Sequence, residues 1–155
     1  MTSLACREAT EADLPAIVAM LADDQKGATR EDASLPLDPG YLAAFRAITE
    51  DANQMLVSAE QDGRVVGTLQ LSFLPGLSHR GAWRGQVEAV RIAADLRGHG
   101  LGEAMMAWAV DQCRARGCRM VQLTSDKART DAHRFYERLG WGRSHEGFKL
   151  ALEDR

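Results

Sequence analysis

Cysteine is scarce in this 155-residue chain: Cys6, Cys113 and Cys118 are odd in number, scattered and without C-x-x-C spacing. That excludes a disulfide framework and a zinc site, and leaves three buried or surface thiols. The four histidines, His79, His99, His133 and His145, have no metal-ligand spacing such as H-E-x-x-H, so no metal is expected. No run approaches the ~18 apolar residues of a membrane span, and Met1 to Glu8 lacks the basic-then-apolar order of a secretory signal. The expectation is a cytoplasmic protein away from the membrane. A polybasic block is missing as well: 19 basic residues against 22 acidic ones leave a net charge of -3, no electrostatic footprint for nucleic acid. Internal repeats and low-complexity tracts are also absent.

What the chain has is apolar material, 45% of its residues, enough for a sizeable core in one domain spanning residues 1–155. Leu4 to Ala9 reads as a first strand, and Thr10 with Asp13 as a capping box for a helix carrying Leu14, Ile17, Val18 and Leu21 on one face. Residues 22–40 are polar and acidic, and a weaker helical pattern follows through Tyr41, Leu42, Phe45 and Ile48. Gln54 to Glu60, a Gln61-Asp62-Gly63 turn and Arg64 to Leu74 make a β-hairpin, which Gly67 would weaken or bend. A long loop, 75–85, leads to a strand over Gln86 to Ala93. The helix Leu101 to Arg116, with Leu101, Ala104, Met105, Trp108 and Cys113 on its stripe, stops at Gly117 before a strand over Cys118 to Thr124. Residues 86–124 thus form a β-α-β unit whose two strands should be parallel. A short helix, Asp131 to Leu139, stops at Gly140, and 141–144 and 147–152 read as two closing strands.

The most informative residues are Arg97-Gly98-His99-Gly100-Leu101-Gly102, between the strand and the long helix. Three glycines at alternate positions let the backbone curl so that successive N–H groups converge, and the helix N-terminus adds roughly half a positive charge. The ligand should carry phosphate. Two familiar phosphate motifs fail: three residues on from Gly100 stands Glu103, not glycine, and no Gly-Lys-Ser/Thr follows.

What remains, Arg97-x-x-Gly100-x-Gly102 directly after Val90-Arg91-Ile92, resembles the coenzyme A pyrophosphate loop of the GNAT superfamily of N-acyltransferases. Ala132-His133-Arg134-Phe135-Tyr136-Glu137-Arg138-Leu139-Gly140-Trp141 resembles that superfamily's second signature, about 35 residues downstream with a strand between. Together they cover 86–142, about a third of the chain. The resemblance implies an α/β fold with a central, mostly antiparallel mixed sheet, a parallel β-α-β core and flanking helices. It implies acetyl-CoA as co-substrate. Val90 and Ile92 would meet the pantetheine arm through their main chain, and Arg97, Gly98, His99, Gly100, Leu101 and Gly102 would surround the pyrophosphate. Tyr136 would be the general acid for the departing sulfur; its reference pKa of about 10 against roughly 8.5 for a thiol costs only about 2 kcal/mol. In isolation, a Tyr beside Phe135 would read as core packing.

Glu88 resembles the strand glutamate that some members use as a base acting through water. Strand alternation would put it on the side of Val90 and Ile92; a salt bridge with Arg84 or Arg91 is its other reading. Deprotonating an alkylammonium at pH 7 costs about 5 kcal/mol, so some base or water chain is needed. One departure stands at Arg129, where many relatives have Asn; Arg129 or Lys127 would approach the phosphates instead.

The acceptor site would be framed by 22–45 and 75–86. Asp23, Asp24, Glu31 and Asp32 favour a cationic acceptor, Arg80 and Arg84 a carboxylate-bearing one. The leading function is acetyl transfer to the primary amine of a small molecule; a protein or peptide acetyltransferase and a non-catalytic acyl-CoA sensor are the alternatives. Trp83, Trp141 and Phe148 are the residues that would cover a sheet edge in a homodimer.

Overall fold

The computed structural model describes residues 3–153. The chain divides after Gln122 into two compact units. In the first, β1 (Ala5–Glu8) is followed by a 3-10 turn (Glu11–Asp13), α1 (Leu14–Ala22), α2 (Gly27–Arg30) and α3 (Pro39–Glu50). Then come β2 (Gln54–Gln61), β3 (Arg64–Leu74), α4 (Ser78–Gly81), β4 (Arg84–Ile92), a second 3-10 turn (Ala94–Leu96), α5 (Leu101–Ala115) and β5 (Met120–Leu123), whose last residue opens the second unit. The strands lie in sequence order, and β1 to β4 pair antiparallel. β5 runs parallel to β4, because contacts between them advance in step. The Arg119 N–H donates to the Trp83 carbonyl at 2.9 Å, and Gln122 Nε2 donates to Gln86 Oε1 at 2.7 Å.

Local chemistry explains most of these elements. At α1, the Thr10 N–H donates to Asp13 Oδ2 at 2.8 Å, as the capping-box spacing requires. At α3, Asp38 accepts from the Gly40 N–H at 2.8 Å and Pro39 occupies the first turn, where its missing N–H costs nothing. The hairpin turns through Asp62 and Gly63, both at positive φ (52° and 77°), the geometry that matches strand twist. At Gly67 the strand does bulge: Ala59 faces Gly67 while Glu60 faces Val65, leaving Val66 extra.

The sheet has two unlike faces. Val57, Ala59, Leu69, Leu71, Phe73 and Val87, each at most 1% exposed, point to the face covered by α5. There Gly85 is obligatory, since a Cβ on it would collide with Cys113 Sγ. The stripe of α5 that is buried is Met105, Met106, Ala109 and Cys113, whereas Ala104 is exposed and Leu101 and Trp108 are half-buried. The helix is thus rotated from the stripe read in its sequence, because Met106 and Ala109 fill the space over the sheet. On the opposite face α1 packs Ile17 and Met20 on Val66 and Ala93. Asp13, 7% exposed, anchors the start of that helix: its Oδ2 accepts from Ser58 Oγ at 3.0 Å and from Arg7 Nη1 at 2.6 Å. Arg7, first of all, holds the Asp13 carboxyl well below the ordinary carboxylate range.

The second unit, 123–155, is organised by α6 (Thr130–Arg138). Its C-terminus closes at Gly140, φ 95°, whose N–H donates to the Glu137 carbonyl at 3.0 Å, with the Trp141 N–H on the Tyr136 carbonyl at 3.0 Å. The two closing strands expected over 141–144 and 147–152 are not formed; among the described residues no strand follows β5. Phe148, Leu150 and Leu152 alternate as a strand would, yet are 94%, 85% and 92% exposed. An alternating pattern gives strand propensity only, and a strand exists only where another edge takes its hydrogen bonds.

Candidate active site

The loop after β4 is built as its glycines require. Gly98 and Gly100 both have φ 80°, and Gly100 is the N-cap of α5. Side chains rarely adopt that conformation, and a Cβ at either position would meet nothing within 4 Å, so backbone geometry rather than crowding demands glycine. No side chain caps α5, and its ladder begins with the Ala104 N–H on the Gly100 carbonyl at 3.2 Å. The N–H groups of Leu101, Gly102 and Glu103 therefore precede the first helical bond, at the positive end of a 15-residue helix. That is the chemistry of a phosphate seat. His99 folds onto the loop, its Nδ1 lying 3.1 Å from the Arg97 carbonyl. Arg97 turns back from the loop: Nε donates to the Ile92 carbonyl at 3.3 Å, and Nη2 lies 3.8 Å from Asp23 Oδ2 in an exposed pair.

β4 carries a feature that sequence alternation concealed. Ala89 has φ 53°, and across from it the register slips: Gln70 faces Glu88, but Thr68 faces Arg91. Ala89 and Val90 together oppose Leu69, a β-bulge. The extra residue shifts the phase, so Glu88 shares its face with Arg91 and not with Ile92, which lies opposite Gly67 on the α5 side. The expectation that alternation aligns Glu88 with Val90 and Ile92 is thereby corrected. Nothing in the sequence marks this site, because alanine is not a residue that favours positive φ. Beyond the bulge β4 continues to Ile92, past the four-residue β5, which lies beside its first half.

Glu88 is exposed and, among the described residues, has no ion-pair partner. Both arginines of the salt-bridge reading are engaged elsewhere: Arg84 Nη1 donates to Gln122 Oε1 at 3.3 Å, and Arg91 Nη2 pairs with Asp24 Oδ2 at 3.2 Å. The face around Glu88 is unexpectedly polar. Gln54 Oε1 accepts from Gln70 Nε2 at 3.1 Å and from Ser72 Oγ at 2.8 Å, and Gln86 joins Gln122 one strand over. Sequence reasoning passed over this row. Its signal was there, in Thr68, Gln70 and Ser72 alternating with Gly67, Leu69, Leu71 and Phe73 on β3.

The loop 75–85 stands elsewhere. His79 and Arg80 adopt left-handed φ (54° and 60°) in α4, and an open hollow lined by His79, Ala82, Trp83, Arg84, Arg119 and Met120 lies where β4 begins. The eight steps of β4 from Arg84 to Ile92 separate that end from the loop at 97–102, roughly 26 Å at ~3.3 Å each. His79 and Arg80 are therefore remote from the loop at 97–102.

In the second unit Tyr136 is half-buried on α6, edge-on to Phe135 (centroids 5.1 Å apart) and to Trp141 (6.0 Å). The rings fix its orientation through packing. Arg129 is the N-cap of the same helix and makes no capping side-chain bond; His133 Nε2 lies 2.8 Å from the Asp126 carbonyl.

Comparison with known proteins agrees with this geometry. The family model described as "Acetyltransferase (GNAT) family" matches residues 17–141. The chain is 30% identical over 146 residues to the aminoalkylphosphonate N-acetyltransferase of Salmonella typhimurium, covering 94% of this chain and 90% of that one. It is 36% identical over 84 residues to the glucosamine 6-phosphate N-acetyltransferase of Trypanosoma brucei brucei, 54% of either protein. Among solved structures, one described as a transcriptional regulator from Bacillus halodurans C-125 superimposes with a TM-score of 0.94 at 45% identity, covering 97% of this chain and 100% of that one.

Proposed function

Because the chain belongs to the GNAT acetyltransferase family, we propose that its acetyl-CoA-dependent N-acetyl transfer ends on the primary amine of a small molecule. The observation that carries the cofactor reading is the uncapped N-terminus of α5, reached through Gly98 and Gly100 at positive φ. The free N–H groups of Leu101, Gly102 and Glu103 suit a pyrophosphate, and hydrogen bonds to a charged group contribute roughly 1.5 to 3 kcal/mol each. The half of β4 beyond Ala89 suits the pantetheine arm, with Val90 and Ile92 offering main-chain groups as an added strand would require. Arg97 would leave its exposed pair with Asp23 at little cost and turn to the phosphates.

When bound, acetyl-CoA supplies a thioester carbonyl for attack. Glu88, without an ion-pair partner among the described residues, takes the proton of the amine through water, leaving the nitrogen lone pair free. As the new C–N bond forms and the C–S bond breaks, the Tyr136 hydroxyl gives its proton to the departing sulfur, and the nitrogen sheds its second proton through water, which restores the phenol. In this reading the protein works in the cytoplasm, and Trp83, Trp141 and Phe148 cover a sheet edge in a homodimer; sedimentation would test that assembly.

Two relatives are named for small amines that carry a phosphorus oxyanion, which makes such amines the first acceptors to try. The test is coenzyme A release from acetyl-CoA across aminoalkylphosphonates, amino sugar phosphates, aminoglycosides and peptides with free amines. Turnover on peptides alone would overturn the small-molecule reading. Glu88→Gln should shift the pH–rate profile, and an unchanged profile would take the base role away from Glu88.

A further inference from the structure

The bulge at Ala89 puts Glu88 on a face whose nearest cross-strand neighbour is Gln70, directly opposite in the register. Paired residues on one face of an antiparallel sheet have Cβ atoms ~5 Å apart, close enough to hold one small group between them. Gln70 is half-buried. Its Nε2 donates to Gln54 Oε1 at 3.1 Å, and that same oxygen accepts from Ser72 Oγ at 2.8 Å. Gln54 Oε1 thus takes both donors, and Gln70 Oε1 makes no bond within this row. In this arrangement the nitrogen of Gln70 points along the sheet to Gln54, and its oxygen is left to accept from a ligand.

We propose that Gln70 is a second acceptor-binding residue, whose carboxamide oxygen receives one N–H of the substrate amine while the water held by Glu88 receives the other. This rests on the reading of Glu88 given above and extends it to specificity. A neutral primary amine has two N–H bonds and one lone pair. The Gln70 oxygen and the water held by Glu88 on the adjacent strand take both N–H bonds and leave the lone pair directed away from the sheet, toward the carbonyl it attacks. A carboxamide does this without adding a second negative charge beside Glu88. An N-methylated amine lacks one of these N–H bonds and leaves Gln70 unsatisfied. Gln54 and Ser72 are positioning residues that act through Gln70.

Steady-state kinetics on the full chain tests the proposal, with the best acceptor from the amine panel and its N-methyl derivative. Gln70→Met keeps the volume and removes the oxygen. It should raise the acceptor KM about tenfold, leave the acetyl-CoA KM unchanged and narrow the preference for the primary over the N-methyl amine. An unchanged acceptor KM in Gln70→Met, or acceptor and acetyl-CoA constants rising together in a variant of normal melting temperature, would overturn it. Glu88→Gln run in parallel separates the two readings, since failure of the base role appears in the pH profile and failure of this proposal in the acceptor KM.

Discussion

Replacing Gly100 by glutamate tests the phosphate seat most directly, and its two effects can be worked out separately. Gly100 has φ 80° and ψ 2°, where an L side chain costs roughly 1 to 2 kcal/mol. A Cβ there meets nothing within 4 Å, so Gly100→Ala should carry this strain alone and lower the melting temperature by about 2 to 8 °C. Gly100→Glu carries the same strain plus a carboxylate beside the pyrophosphate. At ~4 Å and an effective dielectric of ~20, each pair of like charges repels by about 4 kcal/mol, on the order of a thousandfold in affinity. Calorimetric titration with coenzyme A should therefore show a modest loss in Gly100→Ala and near-complete loss in Gly100→Glu, with similar melting temperatures. An affinity in Gly100→Glu within about threefold of Gly100→Ala would mean that no phosphate approaches this loop.

Tyr136→Phe keeps the edge-on contacts with Phe135 and Trp141 and removes only the hydroxyl, so kcat should fall roughly 10²-fold or more while coenzyme A affinity holds; an unchanged kcat would make Tyr136 a packing residue. Gly85→Ala should destabilise the protein by about 1 to 3 kcal/mol through its clash with Cys113 Sγ, and Cys113→Ala should recover much of that loss in urea titrations of the double variant. Asp13, whose carboxyl is held low by Arg7, contributes stability that is complete above about pH 5 and is lost as pH falls through the carboxylate range toward its depressed folded value. Asp13→Asn should consequently lower stability at pH 7 and flatten the acid side of the stability profile, and a parallel profile would show that the Arg7 pair is not the cause.

Much of the fold was legible because its signals are local. The Asp62-Gly63 turn, the Thr10 and Asp13 cap, Pro39 after Asp38 and the glycines of 97–102 all depend on backbone preferences of a few adjacent residues, and each stands where its chemistry put it. The burial of Met106 and Ala109 was not legible, since several stripes on α5 were apolar enough and only the sheet beneath chose among them. The strands expected over 141–144 and 147–152 fail for a related reason: alternation in Phe148, Leu150 and Leu152 says nothing about which edge is there to pair.

The candidate site divides the same way. By itself the sequence determined the proposed donor side, because the glycines at positive φ and the helix N-terminus that suit a phosphate are consecutive in the chain. Only the tertiary structure decided the surroundings of Glu88. The slip opposite Leu69 moves it away from Ile92's side, and pairing across β3 sets Gln70, Gln54 and Ser72 around it. Register is a property of two strands together, so no reading of β4 alone could have found the face on which its glutamate stands.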